Sequence, residues 1–281
     1  MINVKNVSII ALALFLVGII GAALSFKFIS KPEEIFEEKQ VDADFVNMEI
    51  VAENAKVEII PTTSAIAKVE LTGKAKKQKF EVNVKGDSLI VQVKEESWSF
   101  VNLDFFTTGL ALTIYVPEKQ YETIFAKSNN GRIEAEKLEA KDIKMETDNG
   151  RIQLQDVKAA NVTTKTDNGR TELKNIVAET ISVKAANGKV ILDNVEGELV
   201  GKANNGSITL ITNQLNNPID FTTDNGKIKI ETEKEPENAT FDADVANGKV
   251  RIYGHSDKHI VFGNGDHTIR LRTHNGSITV D

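Results

Sequence analysis

Asn-Gly recurs at Asn130-Gly131, Asn149-Gly150, Asn168-Gly169, Asn187-Gly188, Asn205-Gly206, Asn225-Gly226 and Asn247-Gly248, with further copies at Asn264 and Asn275. The spacing is constant from Asn130 to Asn187, drifts slightly as far as Asn247, and then becomes irregular. A period of roughly 20 residues is the mark of a repeat architecture, in which each unit buries its apolar face only against its neighbours. The phase of the side chains around each Asn-Gly then decides what one unit looks like.

Three positions after each asparagine stand Ile133, Ile152, Thr171, Val190, Ile208, Ile228, Val250 and, at the last copy, Ile278. Two positions further come Ala135, Leu154, Leu173, Leu192, Leu210, Ile230, Ile252 and Val280. This alternation marks a β-strand with one buried face. A second apolar set follows at Leu138, Val157, Ile176 and Val195, and a second strand turns Ile143, Val162, Ile181 and Leu199 inward. The last inward residue before each Asn-Gly is small: Ser128, Thr147, Thr166, Ala185, Ala203 and Thr223.

One repeat is therefore two short strands and two corners. A parallel β-solenoid would stack residue i on i+19, whereas an antiparallel meander would close a hairpin at each Asn-Gly. Recurrence of one residue type at one phase favours the solenoid. In either fold, Asn-Gly is expected to supply the positive φ of a tight corner. Upstream, "ENAKVEII" (Glu53–Ile60) is a looser repeat start, and residues 45–120 read as a β-rich cap over the first coil. At the other end, "GSITVD" reads as the final edge, with His267, Arg270, Arg272 and His274 as charged gatekeepers.

The segment Asn6–Phe26 is apolar and uncharged, and it is long enough for a helix spanning about 30 Å of hydrocarbon. The expected organisation is a cytoplasmic head at 1–5, a transmembrane signal-anchor at 6–26, an acidic linker at 27–44, the β cap at 45–120 and the solenoid at 121–281. A cleaved signal peptide ending near Ala23-Leu24-Ser25 is the alternative. Both place the bulk of the chain outside the cytoplasm, and the anchor reading holds it at the cell membrane. The fold class expected is all-β: a parallel β-solenoid of about 19-residue coils behind a β-rich cap and one N-terminal transmembrane helix.

The net charge of −7 leaves no basic footprint for nucleic acid. Zero cysteines exclude a disulfide framework, a thiolate metal site and a cysteine nucleophile. The stretch "LTIYVPEKQYETIFAKSNNGRIEAEKL" followed by repeated Asn-Gly-(Arg/Lys)-(Ile/Val) resembles a bacterial family of β-strand-repeat domains labelled as candidate adhesins. With its short anchor, the chain is similar to LiaG-like membrane-anchored envelope proteins, which implies a place in the cell envelope and an association with envelope stress. The family brings no catalytic residues to carry over.

The strongest candidate site is a row of cations two positions after each asparagine: Arg132, Arg151, Arg170 and Lys189, continued by Lys227 and Lys249. Stacked at strand spacing, such a row can hold an anionic polymer such as teichoic acid or lipid phosphate. The competing reading is local pairing, of Arg151, Arg170 and Lys227 with the turn residues Asp148, Asp167 and Asp224, or with Glu134 and Glu172 on the same face. Calcium at the turn aspartates is disfavoured because Ala186, Asn204 and Ala246 interrupt them. Zinc or nickel at His255, His259, His267 and His274 with Asp257 or Asp266 is a weaker alternative still. No cofactor or metal is expected.

The aromatic patch Ser97-Trp98-Ser99-Phe100 and Phe105-Phe106 reads as a plug between cap and coils. The function expected is a non-enzymatic binding or scaffolding module of the envelope, whose partner is an anionic wall polymer or an envelope membrane protein. Two alternatives stay open: a carbohydrate-active β-helix enzyme, and a regulatory partner of a membrane sensor.

Overall fold

The structure, a computed structural model, describes residues 11–12, 14–19, 21, 33–75, 78–95 and 109–281. Residues 11–12, 14–19 and 21 are helical, and among the described residues no helix is long and apolar enough to cross a membrane. Most of the expected anchor at 6–26, and the aromatic patch at 97–106, lie outside the described residues.

From residue 33 onward the described chain is all-β, and its coils stack in parallel. The strand β9 (Arg132–Glu136) lies in register on Arg151–Gln155 of β10 (Glu139–Thr212), and β8 (Gln120–Ser128) lies on the segment Glu139–Thr147. Ile133 faces Ile152 and Ile124 faces Ile143 across these pairs, so residue i rests on i+19 and the hairpin alternative is excluded. β10 passes through successive coils without a break, and β11 (Ile219–Thr232) continues the stack, with Ile208 on Ile228. The inward positions read from the alternation are buried throughout these coils, from Ile133 and Leu154 to Ile228 and Ile230. Val250 is half-buried, in the outermost coil.

The ends of the stack depart from sequence order. β14 (His267–Val280) lies between β11 and β12 (Ala239–Ile252), pairing in parallel with both. The "GSITV" strand is therefore interior, which corrects its reading as the final edge. Arg270 bridges Asp220 at 3.5 Å and Asp242 at 3.8 Å on the two flanking strands, and Arg272 reaches Asp220 at 3.9 Å. These cations join strands instead of guarding an edge. β13 (His259–Phe262) covers β12 only over Ala239–Asp242.

The opposite end uses the same device. β2 (Asn47–Ala52) and β3 (Ala55–Thr62) form a coil beneath β8 and β9. β6 (Ser88–Glu95) and β7 (Leu110–Pro117) form the next coil outward, parallel to β2 and β3. The outermost layer is antiparallel: β5 (Gln78–Lys85) on β6, and β4 (Ala67–Ala75) on β7. β1 (Glu33–Val41) closes the β4 side, so residues 33–41 are an edge strand and not part of a solvated linker. Ile35 and Val41 pack toward the core, while Glu33, Glu34, Glu37 and Glu38 face water and blunt the edge against further pairing.

Among the described residues, one coil carries unpartnered polar groups in its core. The Oγ1 atoms of Thr164, Thr166 and Thr171 are buried, with no hydrogen-bond partner among the described residues. Ile152 and Val190 occupy the phase of Thr171 in the adjoining coils. An unsatisfied buried hydroxyl costs about 1–3 kcal/mol, and valine has the same shape without it. Thr171→Val is therefore expected to raise stability by about 1 kcal/mol in urea denaturation; a loss of that size would mean the hydroxyl has a partner.

Candidate functional site

The Asn-Gly corners align into one edge of the molecule. Each asparagine donates its Nδ2 to the Oδ1 of its neighbour: Asn130 to Asn54 at 2.8 Å, Asn149 to Asn130, Asn168 to Asn149, Asn187 to Asn168 and Asn205 to Asn187 at 2.9 Å. The ladder continues from Asn225 to Asn205 at 3.0 Å, Asn275 to Asn225 at 2.8 Å and Asn247 to Asn275 at 2.9 Å. All eight bonds share one polarity. Beside them runs a column of glycines packed backbone to backbone. A Cβ on Gly150 would lie 1.9 Å from the carbonyl oxygen of Gly131, and one on Gly188 would lie 1.7 Å from that of Gly169.

Close approach thus explains the glycines, which corrects the positive-φ expectation. No ladder asparagine has positive φ, and of the column glycines only Gly169 (159°) and Gly248 (154°) do. The second corner instead holds left-handed residues: Lys137, Asp156, Asn175 and Asn194, with φ of 51–54°, while Tyr253 (45°) follows β12. Asparagine and aspartate tolerate this conformation through local hydrogen bonding. They form a shorter ladder, with Asn194 donating to Asn175 at 3.0 Å and Asn175 to Asp156 at 2.8 Å. The hydrogen bonds from Asn175 and Gln155 hold the Asp156 carboxyl below its ordinary value.

The cation row flanks the asparagine ladder as expected, and its partners are specific. Arg132 pairs with Glu134 at 2.9 Å and Arg170 with Glu172 at 2.8 Å, each two residues along the same strand. Lys56 extends the row onto β3 and joins Glu134 at 2.8 Å and Glu58 at 2.7 Å. Burial pushes the Glu134 carboxyl up, but hydrogen bonds from Lys56 and Arg132 outweigh it and hold the group below the usual carboxylate range. The expected clasp by turn aspartates is absent among the described residues: Asp148 and Asp224 make no ion pair, and Asp167 meets Lys165 at 3.7 Å. The aspartate and the cation leave the corner on different faces, whereas i and i+2 on one strand share a face.

Arg151, Lys189, Lys227 and Lys249 have no carboxylate partner among the described residues. Gln153, Ile191, Lys229 and Arg251 stand where Glu134 and Glu172 stand in the paired coils. On the other side of the same corners, three positions before the asparagine, lie Lys165, Lys184 and Lys202. The sequence reading missed all three. The signal was present: Ser182–Leu192 and Val200–Leu210, in adjoining coils, contain no aspartate or glutamate but hold Lys184, Lys189 and Lys202. All three lysines are exposed and unpaired among the described residues.

The histidines do not converge. His255 follows β12, His259 lies in β13, and His267 and His274 are seven residues apart in β14. Among the described residues no three His, Asp or Glu side chains form a cluster able to hold a metal. Two open hollows, of about 450 and 650 Å³, meet at Pro117, Glu118 and Lys119 near the N-terminal cap. Lys119 is tied there to Asp44 and lies over the rings of Phe45 and Tyr121.

A family model described as Toastrack DUF4097 matches residues 45–281. Among solved structures, a candidate adhesin from Parabacteroides distasonis ATCC 8503 is 9% identical over 88% of this chain and 98% of its own, with a TM-score of 0.48. A candidate adhesin from Bacteroides fragilis NCTC 9343 is 12% identical over 89% and 97%, with a TM-score of 0.45. A candidate lipid-binding protein from the same P. distasonis strain is 13% identical over 90% and 98%, with a TM-score of 0.41. No curated protein matches the chain.

Proposed function

Because the chain belongs to the Toastrack DUF4097 family, we propose that it is a non-enzymatic binding or scaffolding module of the cell envelope. Its β-stack is held outside the cytoplasm by the apolar N-terminal segment, as in LiaG-like envelope proteins, and the corner edge takes an anionic polymer bearing phosphate groups. One observation carries this reading: in two adjoining coils the corner segments Ser182–Leu192 and Val200–Leu210 are free of carboxylates and present Lys184, Lys189 and Lys202 around the exposed asparagine amides. Arg151 extends the cationic row one coil beyond the paired Arg170. Neighbouring coils carry Asp148, Asp167 and Asp224 at the same edge, so the positive stretch is bounded on both sides.

Stacked like charges repel at a strand spacing of about 4.8 Å, and an anion along the row relieves that repulsion. The test is retention on immobilised poly(glycerol phosphate) at low ionic strength. At about 0.2–1 kcal/mol per exposed contact, the triple substitution Lys184→Gln, Lys189→Gln, Lys202→Gln is expected to weaken binding about threefold or more. Arg132→Gln should change it little, because that guanidinium already serves Glu134. Equal retention of the triple variant and the parent chain would remove these lysines from the binding surface.

A further inference from the structure

Eight of the nine ladder asparagines precede glycine; only Asn54 is followed by alanine. With no side chain to obstruct it, a glycine amide nitrogen can reach the side-chain carbonyl of the asparagine before it. Within the ladder this reaction is restrained. The Asn168 amide, for example, donates to Asn149 at 2.9 Å and accepts from Asn187 at 2.9 Å, so its carboxamide is held from both ends between two further coils.

Asn247 lacks half of this restraint. Its Nδ2 donates to Asn275 at 2.9 Å, but among the described residues nothing donates to its Oδ1, because the one-way ladder ends there. β12 is the outermost coil, and β13 covers it only as far as Asp242. Asn247 and Gly248 are both exposed, on a stretch of backbone with no strand on its outer side.

We propose that Asn247 is a site of spontaneous backbone modification built into the open end of the ladder. The Gly248 amide gives its proton to solvent base, and its nitrogen attacks Cγ of Asn247. The new N–Cγ bond forms as the Cγ–Nδ2 bond breaks, and the departing nitrogen takes up a proton and leaves as ammonia. Water then opens the five-membered succinimide at either carbonyl, giving aspartate or isoaspartate; no oxidant, reductant or metal is needed. Either product places a carboxylate at the end of the ladder beside Lys249. Isoaspartate also routes the main chain through Cγ, adding a methylene that breaks the register of Lys249–Ile252 against β14.

Asn264-Gly265 provides an internal comparison. It lies off the ladder in the turn before β14, but there the glycine N–H is engaged, donating to the Phe262 carbonyl at 3.2 Å.

The test incubates the folded chain in mildly alkaline buffer and maps amide-to-acid conversion by peptide mass spectrometry, with an isoaspartate-specific methyltransferase assay alongside. Conversion at Asn247 is expected to be at least about tenfold faster than at Asn168, Asn187 or Asn205, since structure protects the interior positions. Unfolding in urea should bring those rates together, and Asn247→Gln should remove the fastest isoaspartate signal without altering the melt. The proposal is overturned if an interior ladder asparagine converts as fast as Asn247 in the folded chain. It is equally overturned if Asn264 converts while Asn247 survives.

Discussion

Gly188→Ala is expected to destabilise the fold by about 3 kcal/mol, the upper end of the usual cost of overpacking. The added Cβ would sit 1.7 Å from the Gly169 carbonyl oxygen and 2.8 Å from its carbon, both backbone atoms that no rotamer change can move. Relief requires the two coils to part, and neither is free to do so. Gly169 is itself packed on Gly150, Gly206 is packed on Gly188, and the Asn168–Asn187 and Asn187–Asn205 amide bonds hold the same layers. Gly109→Ala is the matched control, because a Cβ there meets nothing within 4 Å. Urea denaturation of both variants measures the difference. If the two changes cost the same, glycine is present at the corner for chain flexibility and not for close approach.

The inward-facing residues could be read before the fold was known, since strand alternation is local and Ile133, Leu154 or Val190 declare their face by phase alone. The reason for glycine could not, because the atom that forbids a side chain at Gly188 belongs to Gly169, a full coil earlier. Asn-Gly reads locally as a turn; only stacking shows that the asparagine makes a ladder and the glycine a column. The second corner was legible in part, as Asp156, Asn175 and Asn194 recur with the period of the Asn-Gly corners, just ahead of Val157, Ile176 and Val195.

The pairing of the cations followed geometry that the pattern contained but did not rank. Glu134 and Glu172 were both visible as partners, and the shared strand face favours them over Asp148 and Asp167, which leave the corner on the other side. The candidate edge was found through its regular +2 row, and that regularity drew attention from Lys184 and Lys202, whose distinction is the missing acid around them. Strand order at the C-terminal end was hidden by the repeat itself. Asn247 and Asn275 both present the right phase to Asn225, so hydrophobic pattern cannot choose between them. Charge can: Asp220, Arg270 and Asp242 occupy one phase, and alternate in sign only if β14 lies in the middle.

Removing His267–Asp281 is accordingly expected to unfold the region from Ala239 to Phe262 while the coils up to Thr212 stay folded. β14 places Ile269, Leu271, Ile278 and Val280 in the core, each fully buried, and burial of one such side chain is worth about 1.5–3 kcal/mol. It also supplies the whole parallel partner of β12, from Ala239 to Ile252, and the Arg270 bridge between Asp220 and Asp242. Without it, β12 keeps only β13, paired over Ala239–Asp242, and a two-stranded ribbon of that size has no independent stability. β10 loses no strand partner, so the stack from Asn130 to Asn205 keeps its ladder and its column. Hydrogen exchange read by mass spectrometry separates the regions: peptides from 239–262 should exchange freely, and those from 151–212 should remain protected. Coils stacked in sequence order would respond differently, since β12 would then rest on β11 and the deletion would strip only an outer strand. Continued protection of Ala239–Ile252 in the shortened chain would overturn the inserted order of β14.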